Sequence, residues 1–268
     1  MPARFPERIV CLTEETTETL YLLGEERRIV GISGYTVRPL RARREKPRVS
    51  AFLSAKHDAI LALKPDLVLG FSDLQADIAR DLAKVGLNVV LFNQRSVDEI
   101  LSMVLMLASM IGATARGEQL VRELETSLAA IRGAAARLPR RPKVYFEEWD
   151  EPMISGIRWV SELVTLAGGE DIFAERSHSQ AATGRIVPPD EVLKRKPEIM
   201  IASWCGKKFR PERVQARAGW DAVPAVRDGE LHEIKSAEIL QPGPAALTDG
   251  VRRIQAIISK WAEKRCAP

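Results

Sequence analysis

Up to Ile111, short apolar runs alternate with segments whose apolar positions recur every three or four residues. Ile9-Val10-Cys11-Leu12 reads as a buried strand. Thr13, a good N-cap residue, then opens a helix that buries Leu20 and Leu23 and stops at Gly24. Arg28 to Ile32 is the second strand. Ser54 is expected to cap a helix carrying Ile60, Leu61 and Leu63, which ends at Lys64-Pro65 because proline disfavours a helical residue before it. Asp66 to Phe71 is the third strand, after which Ser72 caps a helix with Leu74, Ile78 and Leu82, closed by Gly86. Leu87 to Phe92 is the fourth strand, and Ser96 with Glu99 forms a capping box for another helix. Strands separated by helices of this length predict right-handed βαβ units on a mostly parallel sheet.

From Thr114 to Leu138 one long helical pattern places Leu120, Val121, Leu124, Leu128 and Ile131 on its apolar side, and Pro139-Arg140-Arg141-Pro142 breaks it. The strand pattern then returns at Val144-Tyr145-Phe146. A helix over Val160 to Ala167 is stopped by Gly168-Gly169, and Ile199 to Ala202 is a further strand. The expected fold is α/β: two Rossmann-like lobes with parallel-rich sheets joined by one long rigid helix. The expected boundaries are residues 1–112 for the first lobe, 113–141 for the linking helix and 142–268 for the second lobe. An internal echo supports the pairing of lobes. Asp58 to Leu69 aligns without gaps on Asp190 to Ile201, with Lys64-Pro65-Asp66 falling on Lys196-Pro197-Glu198. Two such lobes leave a cleft between them.

In open parallel sheets, ligands sit beyond the carboxyl ends of the strands. In the first half these ends carry Thr13-Glu14-Glu15-Thr16-Thr17-Glu18, Ser33-Gly34-Tyr35, Ser50-Ala51-Phe52-Leu53 and Phe71-Ser72-Asp73. In the second half they carry Glu147-Glu148-Trp149-Asp150 and Ser203-Trp204-Cys205-Gly206. Tyr35, Phe52, Phe71, Trp149 and Trp204 gather there, and broad rings suit a large, partly apolar ligand. As a purely structural alternative, the same rings would cap the cores of the lobes. Glu14, Glu15 and Glu18 stand where a nucleotide-binding helix keeps glycines. They compensate the helix dipole themselves and repel a phosphate.

Composition removes other classes. The 268 residues are 46% hydrophobic and 28% charged with a net charge of +4, which is no nucleic-acid signature. No GxGxxG, GxxxxGK[ST] or GxSxG occurs, so neither a phosphate loop nor a nucleophile elbow is readable. Cys11 and Cys205, on or beside apolar strands, read as small core hydrophobes; with Cys266 they form no metal spacing. His57, His178 and His232 are scattered, and of these only His178, in a polar loop, is suspected of reaching a ligand. No catalytic residue, metal or cofactor is expected. The stretch Met1 to Arg8 shows no apolar leader, and Met103 to Ile111 is too short to span a bilayer. As written, the chain is expected in the cytoplasm as a monomer without membrane insertion, with the periplasm as the alternative if a leader has been removed.

The runs Glu7 to Gly24, Arg28 to Ser33 and Leu61 to Leu69 resemble the substrate-binding proteins of ABC importers for cobalamin, haem and ferric siderophores. Tyr145 to Met153 and Glu162 to Phe173 are similar to the cobalamin-binding branch. The resemblance implies a two-lobed, non-catalytic protein that binds a corrinoid, cobalamin or cobinamide, in its cleft with little hinge closure, as an importer-type solute-binding protein or an intracellular homologue of one, and a ferric siderophore or haem is the alternative. Tyr35, Phe52 and Phe71 match the family's aromatic wall in the first lobe, with Trp149, Trp159 and Trp204 as counterparts in the second. Glu15, Leu53, Ser72, Glu148 and Arg185 complete the expected ligand contacts; Arg158 and Arg185 are the arginines a siderophore reading would use. Asp58 and Asp190, at the two ends of the echo, match the acidic residues with which the family docks onto an ABC permease dimer.

Overall fold

The computed structural model describes residues 5–266, and the side chains of residues 5–265. Cys266 and the Met1–Arg4 part of the leader reading therefore lie outside the described side chains. The chain forms two compact units. One runs up to Gln94 and resumes over Asp98–Leu124; the other comprises Arg95–Val97 and the chain from Glu125 onward.

In the first unit the order is β1 (Ile9–Cys11), α1 (Glu14–Leu22), β2 (Ile29–Ser33), α2 (Ala42–Glu45), β3 (Arg48–Ala51) and β4 (Ser54–Ala55). It continues with α3 (His57–Ala62), β5 (Leu67–Phe71), α4 (Ala76–Lys84), β6 (Val89–Phe92) and α5 (Val97–Met110), the last beginning in the short segment assigned to the second unit. The sheet runs β4-β3-β2-β1-β5-β6. Every pair is parallel except β3 with β4. All of β1 and β5 is buried, as expected for strands covered on both faces. The helix α6 (Thr114–Ala135) begins in this unit and ends in the other, with Val121, Leu124, Leu128 and Ile131 buried.

The second unit contains β7 (Lys143–Asp150), β8 (Met153–Ser155), α7 (Arg158–Leu166), β9 (Glu170–Asp171), α8 (Pro189–Arg195) and β10 (Ile199–Ala202). It ends with α9 (Pro211–Gln215), α10 (Pro224–Arg227), β11 (Leu231–Glu233), α11 (Ser236–Ile239) and α12 (Val251–Cys266). Its sheet runs β11-β10-β7-β8, with β9 also pairing β7. Strands β11, β10 and β9 lie parallel to their partners and β8 antiparallel to β7. The parallel-rich, two-lobed α/β architecture expected from the pattern is present.

Three local readings need correction. Ser54 does not cap a helix: it pairs with Ala51 as β4, and the cap position before α3 is Lys56. Strand β3 had no clear signal, because Arg48-Val49-Ser50-Ala51 buries a single large apolar side chain, Val49. Leu74 is exposed, not part of the α4 face, because Asp73–Gln75 forms a separate turn of 3₁₀ helix.

The internal echo is structural. In both units the helix is followed by a lysine in the left-handed region, Lys64 at φ 46° and Lys196 at φ 50°. The acid after the proline then ties down the start of a neighbouring strand. Asp66 accepts the N–H groups of Glu7 and Arg8 at 2.7 and 3.0 Å, and Glu198 accepts that of Lys143 at 3.1 Å. Each echo strand, β5 and β10, then pairs parallel with the opening strand of its unit, β1 and β7.

Candidate functional site

In the first unit, the registers Ser33↔Ser50, Cys11↔Ile32 and Cys11↔Leu69 set the carboxyl ends of β3, β2, β1 and β5 side by side. Thr13, Ser33, Ser50 and Ser72 thus line one edge of the sheet. Thr13 occupies the N-cap position of α1 with extended backbone, but its hydroxyl donates to Glu15 Oε1 at 2.5 Å and caps no backbone N–H. Glu14 accepts the Val37 N–H at 3.2 Å, which holds the segment after β2 against the start of α1. Glu15 is 1% exposed and its Oε2 has no hydrogen-bond partner. Thr36 Oγ1 and Ser50 Oγ are likewise buried without partners.

Neither Glu14 nor Glu15 forms an ion pair among the described residues. Arg38 goes to Glu18 instead, at 2.9 Å. Burial without a cation pushes the Glu14 carboxyl up to about 8 and that of Glu15 up to about 7, with neighbouring glutamates adding to both shifts.

Around these polar atoms the expected apolar wall is uneven. Tyr35 and Leu53 are largely exposed, Phe52 is half-buried and Phe71 is buried. Gln75 fixes the loops: its side chain accepts the Phe71 N–H at 3.0 Å and donates to the Phe52 carbonyl at 2.9 Å. Gly70 makes room for it, since a Cβ there would lie 2.6 Å from Gln75 Oε1. Ser72 sits at φ 65°, uncommon for a residue with a side chain, and its hydroxyl accepts the Leu74 N–H at 3.2 Å.

The end of β7 in the second unit carries acids too, and there Glu147, Glu148 and Asp150 are each paired with a cation, whereas Asp171 at the end of β9 is buried with one carboxylate oxygen unpartnered. Glu147 is fully buried and receives Arg217 through two bonds of 2.7 and 2.8 Å, with the Trp204 indole and Tyr145 hydroxyl adding donors. Burial raises its carboxyl and these donors oppose the shift. Asp150 takes Lys207 at 2.8 Å and Arg213 at 2.9 Å; against the pull of burial, these cations hold it below the usual carboxylate range. Glu148 is paired with Arg185 at 2.5 Å, and the same guanidinium nitrogen donates to the Ser155 carbonyl at 2.6 Å.

The predicted aromatics of this unit divide. Trp149 is half-buried, with Lys207 Nζ 3.7 Å from its ring centroid and its indole donating to the Glu151 carbonyl at 2.8 Å. Trp159 and Trp204 are buried in the unit, their indoles bonded to the Ile239 carbonyl and to Glu147. Arg158 pairs with Glu162 one turn along α7 at 2.9 Å. Asp58 and Asp190 are both exposed, each the second residue of its helix, and Asp190 pairs with Lys194 at 2.7 Å.

Sequence reasoning missed a cavity of about 630 Å³ in this unit, lined by Asp150, Met153, Ile186, Arg213, Arg217 and Trp220 among others. Its cations come from the α9 region and carried no local signal. Cys11 is buried as expected, and burial pushes its thiol up to about 12, while Cys205 is exposed, contrary to the core reading, because β10 has already ended at Ala202. His178 is exposed. Among the described residues no three His, Cys, Asp or Glu side chains gather to hold a metal, and no helix is long and apolar enough to cross a membrane.

The chain matches the periplasmic binding protein family over residues 9–238. The vitamin B12-binding protein of Yersinia pestis is 29% identical over 218 residues, 81% of this chain and 75% of that protein. A possible iron-binding periplasmic solute-binding protein from Staphylococcus epidermidis superposes with a TM-score of 0.82 at 20% identity, covering 95% of this chain and 99% of its own. The periplasmic vitamin B12 binding protein of Vibrio cholerae gives 0.75 at 23% identity, covering 97% and 98%.

Proposed function

The chain belongs to the periplasmic binding protein family, and from that premise we propose that it is a non-catalytic solute-binding protein for a corrinoid, cobalamin or cobinamide. The observation that carries this reading is the strand-end edge of the first unit, where exposed Tyr35 and Leu53 adjoin buried polar atoms that no protein group satisfies. A ring of corrin size, apolar on its faces and edged with amides, supplies what both parts lack. The curated relative from Yersinia, a vitamin B12-binding protein by name, supports the same ligand class. Arg185, which a siderophore or haem would be expected to use, is buried and committed to Glu148 and Ser155. That disfavours an anionic ligand there.

Adding dicyanocobinamide, cyanocobalamin, haemin or a ferric hydroxamate to the purified protein tests the reading through melting temperature and tryptophan emission. The corrinoids are expected to bind at about one per chain, to raise the melting temperature and to quench Trp149. Saturating corrinoid that moves neither signal overturns the proposal, and binding of haemin or the hydroxamate in its place establishes the alternative.

Delivery to an ABC permease dimer is the partner role we propose, with Asp58 and Asp190 as the docking acids, on the outer side of the membrane that the importer spans. Both are exposed at the start of the echoed helices. Rim charges of this kind govern docking more than ligand affinity. Reversing both to Lys is expected to abolish uptake in a reconstituted importer while ligand affinity and melting temperature stay unchanged. Loss of affinity in that variant would place the two aspartates in the ligand site.

A further inference from the structure

Glu14 and Glu15 are two adjacent carboxyl groups, 4% and 1% exposed, and among the described residues neither has a cation. Taken alone, an acidic pair at a helix start says little. A second observation points to a ligand. Glu15 Oε2, Thr36 Oγ1 and Ser50 Oγ are all buried and all unsatisfied, on residues 1%, 0% and 8% exposed. Ser50 lies opposite Ser33 at the ends of β3 and β2, and its carbonyl accepts the Gly34 N–H at 2.7 Å. Thr36 lies two residues further on, next to Val37, whose N–H donates to Glu14. These three unsatisfied atoms thus belong to one strand-end edge, while the others among the described residues lie elsewhere. Buried polar atoms are nearly always hydrogen-bonded, so this concentration marks the place where a ligand's polar groups complete the structure.

The chemistry of the set is one-sided. It offers carboxyl oxygens and hydroxyls, and the neighbouring cation, Arg38, is engaged by Glu18. We propose that Glu14 and Glu15 set the ligand specificity of this edge: they accept hydrogen bonds from neutral amide N–H groups and reject ligands that bring carboxylates to the same place. This rests on the corrinoid reading above and deepens it, because it selects fully amidated corrinoids over corrinoid acids and over tetrapyrroles edged with propionates. The carboxyl groups already sit high, about 8 and 7, through burial first and the neighbouring glutamates second. Above those values, where both carboxyls are ionised, a ligand carboxylate would add a like charge beside a pair that has no cation of its own. The second unit provides the contrast, since its acids Glu147, Glu148 and Asp150 are each paired with arginine or lysine.

The test uses two ligands with the same ring. Dicyanocobinamide carries amides where dicyanocobyrinic acid heptacarboxylate carries carboxylates, and both are titrated at about pH 9, above the values of Glu14 and Glu15, into the wild-type chain, Glu14→Gln, Glu15→Gln and the double variant. Glutamine keeps the shape and can both accept and donate, and a cooperative melt confirms that each variant is folded. The wild type is expected to favour the amide by about a hundredfold or more, like-charge rejection of several kcal/mol at about 1.4 kcal/mol per tenfold. Each single variant is expected to cut that ratio about tenfold and the double variant to bring it near unity. Equal wild-type affinity for the two corrinoids, or a ratio unmoved by the double variant, overturns this proposal and leaves the corrinoid reading standing. Binding of neither corrinoid removes the reading and this proposal together.

Discussion

The two units solve the same problem in opposite ways. Each ends its central strands in acidic residues that the fold buries. In the second unit, Glu147 meets Arg217, Asp150 meets Lys207 and Arg213, and Glu148 meets Arg185. In the first, Glu18 takes Arg38, but Glu14 and Glu15 meet only the Thr13 hydroxyl and backbone N–H groups. A buried ion pair is a finished structural element, and removing one partner leaves an uncompensated charge. An unpaired buried carboxyl is unfinished: it holds its proton or waits for a donor from outside. If Glu14 and Glu15 serve a ligand as proposed, acid-rich strand ends, alike in sequence, divide into structural and ligand-seeking classes according to whether cations reach them.

The sharpest way to break the comparison is to make the second unit resemble the first. Arg217→Ala strands the fully buried Glu147 and is expected to cost about 3–5 kcal/mol, seen as a large drop in melting temperature. Replacing both partners, as Glu147→Gln with Arg217→Met, is expected to recover most of the loss, because no unpaired charge remains. If Arg217→Ala melts like the wild type, the pair is not structural and the contrast between the units fails.

Which parts of this were legible beforehand follows from the range of the interactions. The alternation of strands and helices and the echo from Asp58 to Leu69 are local patterns, and they placed β1, β5, β10 and α6. The same pattern put the acids at strand ends. It could not show their partners, because Lys207, Arg213 and Arg217 reach Asp150 and Glu147 across 57, 63 and 70 residues of chain. Strand β3 escaped because pairing to β2, not apolar content, makes it a strand. That Trp159 and Trp204 are buried was not legible, because nothing near them in sequence announces the Ile239 carbonyl or Glu147 as partners.

A second, smaller effect separates the units by pH. Glutamates in an unfolded chain titrate near 4.3, whereas Glu14 and Glu15 sit at about 8 and about 7. Their contribution is fully present below the unfolded value, where both states hold the protons. It is lost as pH rises from about 5 to about 8, because the unfolded chain ionises freely and the folded one cannot. Glu14→Gln and Glu15→Gln are expected to flatten this slope, melting like the wild type at pH 5 and exceeding it at pH 8.5 by about 1–3 kcal/mol. Parallel melting curves across that range would show that the two carboxyls are compensated after all. Asp150, held low by its cations, works in the opposite sense: its contribution is lost as pH falls.

The smallest effect tests what the units share. Lys64 and Lys196 both turn the chain with left-handed backbone directly before a proline, at φ 46° and 50°, and both side chains are exposed. That conformation costs a residue with a Cβ about 1–2 kcal/mol, and the following proline crowds it further. Glycine adopts it freely, but loses about 0.5–1 kcal/mol through the extra freedom of the unfolded chain. Lys64→Gly and Lys196→Gly are therefore each expected to stabilise the protein by about 0.5–1 kcal/mol, and by similar amounts, read from the midpoint of urea unfolding. The backbone carbonyl of Lys64 that accepts Arg8 Nε is kept in the variant, so the gain is not offset by a lost hydrogen bond. A gain in one unit and a loss in the other would mean that the echo repeats the chain's path without repeating its energetics. The two turns would then be alike in shape only.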